Sequence, residues 1–213
     1  MLKVANLSVS IGAVAIIRSV SLELAAGEMC GLIGRNGAGK TTLMRALMGA
    51  LPASGTVELA GTDLLFLPPH RRIAHGIGYM PEDRRLVPEF TAQENILLPS
   101  WAAKFSDVDE RLNWIFAVMP EVAGLRGRRT FELSGGQQKM VALARALMAG
   151  RRILLLDEPF EGLAPALARR LAAVLADLKS EGLSILIAES NQIHVAELLS
   201  HAYRIERGQV ARA

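Results

Sequence analysis

Gly34-Arg35-Asn36-Gly37-Ala38-Gly39-Lys40-Thr41, followed by Thr42, decides the fold. The spacing is G-x-x-x-x-G-K-T. It lies between an apolar run, Glu28–Ile33, and a helical pattern over about Thr41–Met48. Glycines let backbone N–H groups converge on an anion with no Cβ in the way. The helix that follows turns its positive end toward the same point. In this pattern Lys40 meets the terminal phosphates of a nucleotide as a point charge, and the Thr41 hydroxyl is placed on Mg²⁺. Four fixed positions arise by chance in about one chain in a hundred at average residue usage. The setting, strand before and helix after, therefore separates the motif from a plain glycine-rich turn.

Downstream, Ile153-Leu-Leu-Leu-Asp157-Glu158 reads as a buried strand ending in two carboxylates. In an open α/β sheet that end is where ligands sit. Asp157 is placed to hold Mg²⁺ and Glu158 to polarise an attacking water. Strands often end in acids, so this element gains weight only from the glycine loop upstream. A third element is Leu133-Ser134-Gly135-Gly136-Gln137-Gln138. Ser134 can cap a helix running to Gly150, and the glycines leave its N-terminus bare for an anion. On physics alone an ordinary capped helix is equally compatible.

Other segments supply the frame. Residues 1–66 are strand-rich, with partial alternation over Leu2–Leu7, clear alternation over Val20–Leu24, a turn at Ser54-Gly55 and a short strand at Thr56–Leu59. Residues 85–150 read as helical. Thr91-Ala-Gln-Glu94 has capping-box spacing, Ser106–Asp109 offers a weaker start, and Pro120 stops the apolar set Leu112, Ile115, Phe116, Met119. A helix from Pro165 to Gly182, a buried strand at Ser184–Ala188, a helix near Ile193–Leu199 and a hairpin turning at Arg207-Gly208 complete the chain. Strands alternating with helices imply a mostly parallel sheet.

Composition bounds the function. The 213 residues suit one domain or one domain with an insert, and 51% apolar residues support a large core. A net charge of +3 and 5% aromatic residues give no footprint for nucleic acid. The arginine clusters at 126–129 and 151–152 read as a solvated rim. Cys30, the single cysteine, sits in an apolar stretch and excludes an internal disulfide. No apolar run approaches the roughly 20 residues of a spanning helix. The expectation is a cytoplasmic protein whose membrane role needs a partner.

The three elements, in this order, resemble the ATP-binding cassette (ABC) ATPases, and the resemblance covers essentially the whole chain. It implies an α/β P-loop cassette with a mostly parallel core, an antiparallel N-terminal part and a helical insert. The single domain over 1–213 would divide into a core, 1–87 and 131–213, and a helical subdomain over about 88–130. The cofactors implied are ATP and Mg²⁺. Two cassettes would pair head to tail, as homodimer or heterodimer, with Ser134, Gly135, Gly136 and Gln137 acting on the partner's nucleotide. Leu67–Arg71, Gly78–Leu86 and Asp157–Pro165 look like the smaller ATPase of branched-chain amino-acid importers and their amide or urea relatives. That implies integral-membrane permease subunits, met by the insert, and an extracytoplasmic solute-binding protein.

Four positions depart from the general pattern. The adenine-stacking aromatic is Ile11, which lacks a π face. The glutamine that links metal or water to the insert is Glu82. The aspartate after Gly162-Leu163 is Ala164. The switch histidine is Ser190, shorter and without positive charge. Glu82 and Ala164 match the importer subgroup. His194, a turn beyond Ser190, is a poor substitute. His70, His75 and His201 have no metal-ligand spacing. With Lys40, Glu158 and Ser190 as catalytic candidates, two functions stand: a transport ATPase, or a nucleotide-binding regulatory subunit with weak or no hydrolysis.

Overall fold

The computed structural model describes residues 1–213. Strands β1 (Leu2–Ile11) and β2 (Val14–Leu24) form a hairpin. With β4 (Ser54–Leu59) and β5 (Thr62–Asp63) they make an antiparallel sheet in the order β2-β1-β4-β5. The imperfect alternation of the N-terminal residues has a cause. Leu2 and Val4 face inward, then the phase slips and Leu7 and Val9 take over. The slip falls at Asn6, whose φ is 52°, and β2 repeats it at Ser19, φ 53°. Ser19 Oγ and Asn6 Oδ1 are 3.2 Å apart across the paired bulges. An extra residue in each strand keeps both apolar sets on one face. Ser54-Gly55 is the start of β4 rather than a separate turn, opposite the same irregularity.

The second sheet holds β3 (Met29–Ile33), β6 (Ile77–Met80), β7 (Ile153–Asp157), β8 (Ser184–Glu189), β9 (His201–Glu206) and β10 (Gln209–Arg212). Its order is β10-β9-β3-β8-β7-β6, parallel throughout except for β10. Its central strands are apolar without alternation because both faces are covered. Ile153, Leu155, Leu186 and Ala188 point to a core shared with the antiparallel sheet and α1 (Lys40–Leu47). Leu154, Leu156, Ile185 and Ile187 point to a core shared with α6 (Gly135–Ala149) and α7 (Pro165–Ser180). Cys30 is fully buried in the first core, and burial pushes its thiol up to about 12, so it is an inert packing residue.

α2 (Pro69–Ala74) lies between β5 and β6, and α3 (Ala92–Ala103), α4 (Val108–Val118) and α5 (Pro120–Ala123) lie between β6 and β7. Ile96, Ile115, Met119 and Val122 pack α3–α5 onto the core of α6. The capping box at Thr91 forms as its spacing predicts, with Glu94 N donating to Thr91 Oγ1 at 3.1 Å and Thr91 N to Glu94 Oε2 at 2.8 Å. The segment enters and leaves at one neck, where Ala92 N donates to Arg128 O at 2.9 Å. The helix expected near Ile193–Leu199 is instead a run of turns: Val195 is buried, and Ser200 N already bonds Met29 O at 2.7 Å. The chain is drawn into β9 too soon for an i→i−4 ladder to establish.

Arg72 is 2% exposed and has no carboxylate partner. Its guanidinium donates to Ala46 O (3.1 Å), Leu47 O (2.6 Å), Leu65 O (2.8 Å) and Leu67 O (2.8 Å). It thus closes the C-terminal end of α1, where a cation and donors are both favoured. Arg72→Met strands several buried carbonyls, and we expect about 3 kcal/mol of lost stability in urea unfolding.

Candidate functional site: a phosphate loop facing two carboxylates

The loop Gly34–Gly39 joins β3 to α1, and its first amide, Gly34 N, bonds Glu189 O at 3.1 Å. A Cβ on Gly34 would overlap the carbonyl oxygen of Ile205 in β9, so only glycine lets the loop lie this close to the sheet. Lys40 is 5% exposed. Its ammonium folds back over the loop, donating to Gly34 O (2.5 Å), Arg35 O (3.2 Å) and Ser190 Oγ (3.3 Å), and it pairs with Glu158 Oε1 at 3.0 Å.

Glu158 directly follows β7 with left-handed backbone, φ 49°. Its carboxylate is bound by the Ser190 backbone N (Oε2, 3.2 Å) and lies 2.6 Å from Ser190 Oγ. Ser190 Oγ is also 2.7 Å from Asn36 Oδ1. One hydroxyl carries one proton, so Ser190 gives it to Glu158, and the Asn36 amide, turned over, donates to Ser190. Ser190 therefore joins the base candidate to the phosphate loop. His194, by contrast, stacks on Phe160 with centroids 5.2 Å apart. Burial works against charge on Glu158, yet Ser190, Glu189 and Lys40 together hold its carboxyl below the usual range.

Asp157 is fully buried at the end of β7, and its Oδ1 has no hydrogen-bond partner. Burial pushes its carboxyl up to about 6; the Thr41 hydroxyl and Lys40 work the other way. An orphaned carboxylate oxygen beside a threonine hydroxyl suits a hard, oxygen-seeking divalent cation. Asn36, Gly37, Gly39, Lys40, Thr41 and Thr42, with Ile16, Glu82 and Glu158, line one cavity of about 440 Å³. Ala38 sits in the same loop, donating its N–H to Arg35 O at 3.1 Å. Glu82 thus reaches the cavity wall from the loop after β6. Ile11 lies at the tip of the β1–β2 hairpin, 53% exposed and outside that lining; Ile16 supplies the apolar side.

Ser134, Gly135, Gly136 and Gln137 stand apart from this cavity. They begin α6 through a capping box, with Gln137 N donating to Ser134 Oγ at 3.3 Å and Ser134 N to Gln137 Oε1 at 2.9 Å. Arg84 Nη1 bonds Gly135 O at 3.2 Å and ties this end to the Glu82 loop.

Three residues escaped the sequence reading: Ile16, Lys139 and Glu189. The last had a signal, since β8, like β7, is an apolar run ending in a carboxylate. Burial and the neighbouring Glu158 push Glu189 up to about 8, although it accepts from Phe160 N at 3.1 Å. Its folded pKa exceeds the unfolded value near 4.5, so the folded chain holds an extra proton between those limits and stability falls as pH rises through that window. We expect the melting temperature without metal to drop from pH 5 to pH 8, and Glu189→Gln to flatten that slope in a thermal-unfolding series.

A phosphate loop after β3, two carboxylates at the end of β7 with one strand between, and an open, mostly parallel sheet define a P-loop nucleotide-hydrolysing fold. The family model described as ABC transporter matches residues 17–161, and the chain belongs to that family. The chain is 33% identical to the high-affinity branched-chain amino acid transport ATP-binding protein BraG of Pseudomonas aeruginosa, over 99% of this chain and 91% of the relative. It is also 33% identical to the lipopolysaccharide export system ATP-binding protein LptB of Acidithiobacillus ferridurans, over 93% and 83%. LivF of Archaeoglobus fulgidus, a probable branched-chain amino acid transport ATP-binding protein, is 32% identical over 99% and 90%. The crystal structure of a nucleotide-free cassette from an ABC transporter superposes with a TM-score of 0.87 at 28% identity, covering 100% of this chain and 90% of the other. The chain is therefore an ABC-type ATP-binding subunit and ATPase, with ATP and Mg²⁺ as its cofactors. No helix is long and apolar enough to cross a membrane.

Proposed function

We propose that this ATPase energises an importer of small polar solutes, of the branched-chain amino-acid type. The observation that carries the catalytic part is the Glu158 carboxylate, 3.0 Å from the phosphate-loop lysine and flanked by Asp157. In this reading Gly34–Thr42 wrap the phosphates of ATP with backbone amides. Thr41 and Asp157, with Glu82 nearby, would hold Mg²⁺, which would offset the charge of the phosphates. Lys40 leaves Glu158 for the terminal phosphates, and Glu158, freed of its counter-ion, takes a proton from the attacking water. Ser190 keeps the carboxylate oriented while Lys40 moves. Ile11 packs on the adenine. Ser134 and Gly135, exposed, and Gly136 and Gln137, half-buried, all outside the cavity, serve the nucleotide of a second cassette in a head-to-tail dimer. Residues of about 88–130 act as a separate helical unit that meets permease subunits; a solute-binding protein completes the system.

The importer assignment draws on the BraG and LivF relatives, whereas LptB, equally similar, is named for lipopolysaccharide export. Disrupting the coding sequence in its own cell and following labelled leucine, isoleucine and valine decides between them. Lost uptake supports import; intact uptake with arrested lipopolysaccharide export overturns it. Ser190 keeps the regulatory alternative open, because it ties Glu158 down where a histidine would be free to meet phosphate. We expect Ser190→His to raise the steady-state Mg²⁺-ATPase rate several-fold. A wild-type chain that binds ATP without turnover, even beside its partner subunits, would favour the regulatory reading.

A further inference from the structure

The helix begun by Ser134 is fastened to the hydrolytic site of its own chain. Lys139, one turn in, is 7% exposed. Its ammonium donates to Glu158 O at 2.8 Å and to Glu161 O. These carbonyls bracket the turn that opens with Glu158 in left-handed backbone and closes as Glu161 N bonds Glu158 O at 3.3 Å. A non-glycine residue stays in that conformation only where its surroundings over-determine it. Lys139 forms no ion pair, so its buried charge is spent on two peptide carbonyls, in charge-assisted bonds that an apolar side chain of equal volume could not make.

We propose that Lys139 is a positioning residue for Glu158: by clamping the two carbonyls it sets the backbone from which the Glu158 carboxylate is aimed at the phosphate loop, and it makes that aim follow the Ser134 helix of the same chain. The inference rests on Glu158 acting as the base. A second cation on α6 supports the same role for the helix. Arg145 donates to Arg85 O at 2.6 Å and to Arg84 O, holding two consecutive left-handed residues (φ 62° and 48°) in the loop after Glu82. One helix thus holds the backbone beside both the base and the cavity-lining Glu82.

The test uses the purified full-length chain with Mg²⁺-ATP, comparing wild type, Lys139→Met, Lys139→Gln and Lys139→Arg, with Glu158→Gln as reference. Nucleotide-binding stoichiometry and Kd are read with a fluorescent ATP analogue, and kcat is expressed per binding site. Lys139→Met is expected to lower kcat at least tenfold with Kd within threefold of wild type. Lys139→Arg, whose guanidinium reaches both carbonyls, recovers most of the rate. Should the methionine variant be insoluble, Lys139→Gln is read instead, with an expected loss of fivefold or more. Two results overturn the proposal: kcat per site within threefold of wild type in the neutral variants, or a kcat loss matched by weakened nucleotide binding and not restored by arginine. Failure of Glu158→Gln to reduce the wild-type rate removes instead the assignment of the base, which separates the two claims.

Discussion

Glu158→Gln will slow Mg²⁺-ATP hydrolysis by about a hundredfold or more, the contribution expected of a positioned general base, while ATP stays bound. The substitution is nearly isosteric: its amide oxygen can keep the bond from Ser190 N, now 3.2 Å from Oε2, while its NH2 takes the Oε1 place, 2.6 Å from Ser190 Oγ, to which it can donate. What it removes is the ability to take a proton from water. It also removes the charge that holds Lys40 at 3.0 Å. A lysine released from that buried pair meets the terminal phosphates without first breaking an ion pair, so ATP affinity should equal or exceed that of wild type. Single-turnover hydrolysis and equilibrium binding on the same preparation test both halves. A rate within tenfold of wild type would remove Glu158 from the role of base. Weakened binding at an unchanged rate per bound ATP would make the Lys40 pair a structural support of the loop.

Gly208→Ala is expected to abolish ATP binding and to cost about 3 kcal/mol of stability, the scale of a strained and overpacked backbone position. Gly208 lies at the turn of the β9–β10 hairpin with φ 76°, and a Cβ there would overlap the Ile16 carbonyl oxygen of β2. Its N–H donates to Ala38 O of the phosphate loop at 3.0 Å, and its carbonyl accepts from Arg18 N at 2.8 Å. The hairpin turn is thus wedged between the antiparallel sheet and the loop that wraps phosphate. Displacing it withdraws the bond under Ala38 and shifts Ile16 on the cavity wall. Isothermal titration with Mg²⁺-ATP and urea unfolding measure the two effects. Full-affinity binding by the variant would show that the terminal hairpin is dispensable to the site.

Much of this site could be read in the chain before any fold was known. The phosphate loop and the paired carboxylates are local in sequence, and each appears where its pattern predicts: Lys40 opens α1, Asp157 ends β7 and Glu158 directly follows it. The caps at Thr91 and Ser134 depend on residues three apart, and both form. Less legible was whatever depends on distant chain meeting distant chain. β6 pairs with β7 across some seventy residues and has only four of its own to announce it. The Ile193–Leu199 segment has helical spacing, but docking of β9 against β3 claims the chain first.

The sequence by itself determined the parallel core, the anion-binding loop and the carboxylates opposite it, because each rests on periodicity or on residues within one turn or strand; the departure at Ser190 was legible only through the family resemblance. The tertiary structure decided how Ser190 is used. Only the insertion of β8 between β7 and β3 sets its hydroxyl between Glu158 and Asn36, residues 32 and 154 positions away in sequence. The same packing buries Glu189 against Glu158 and brings Lys139 onto the Glu158 turn. A side chain's chemistry is written in its own identity, but its partners and the water it loses are set only when separate strands and helices close around it.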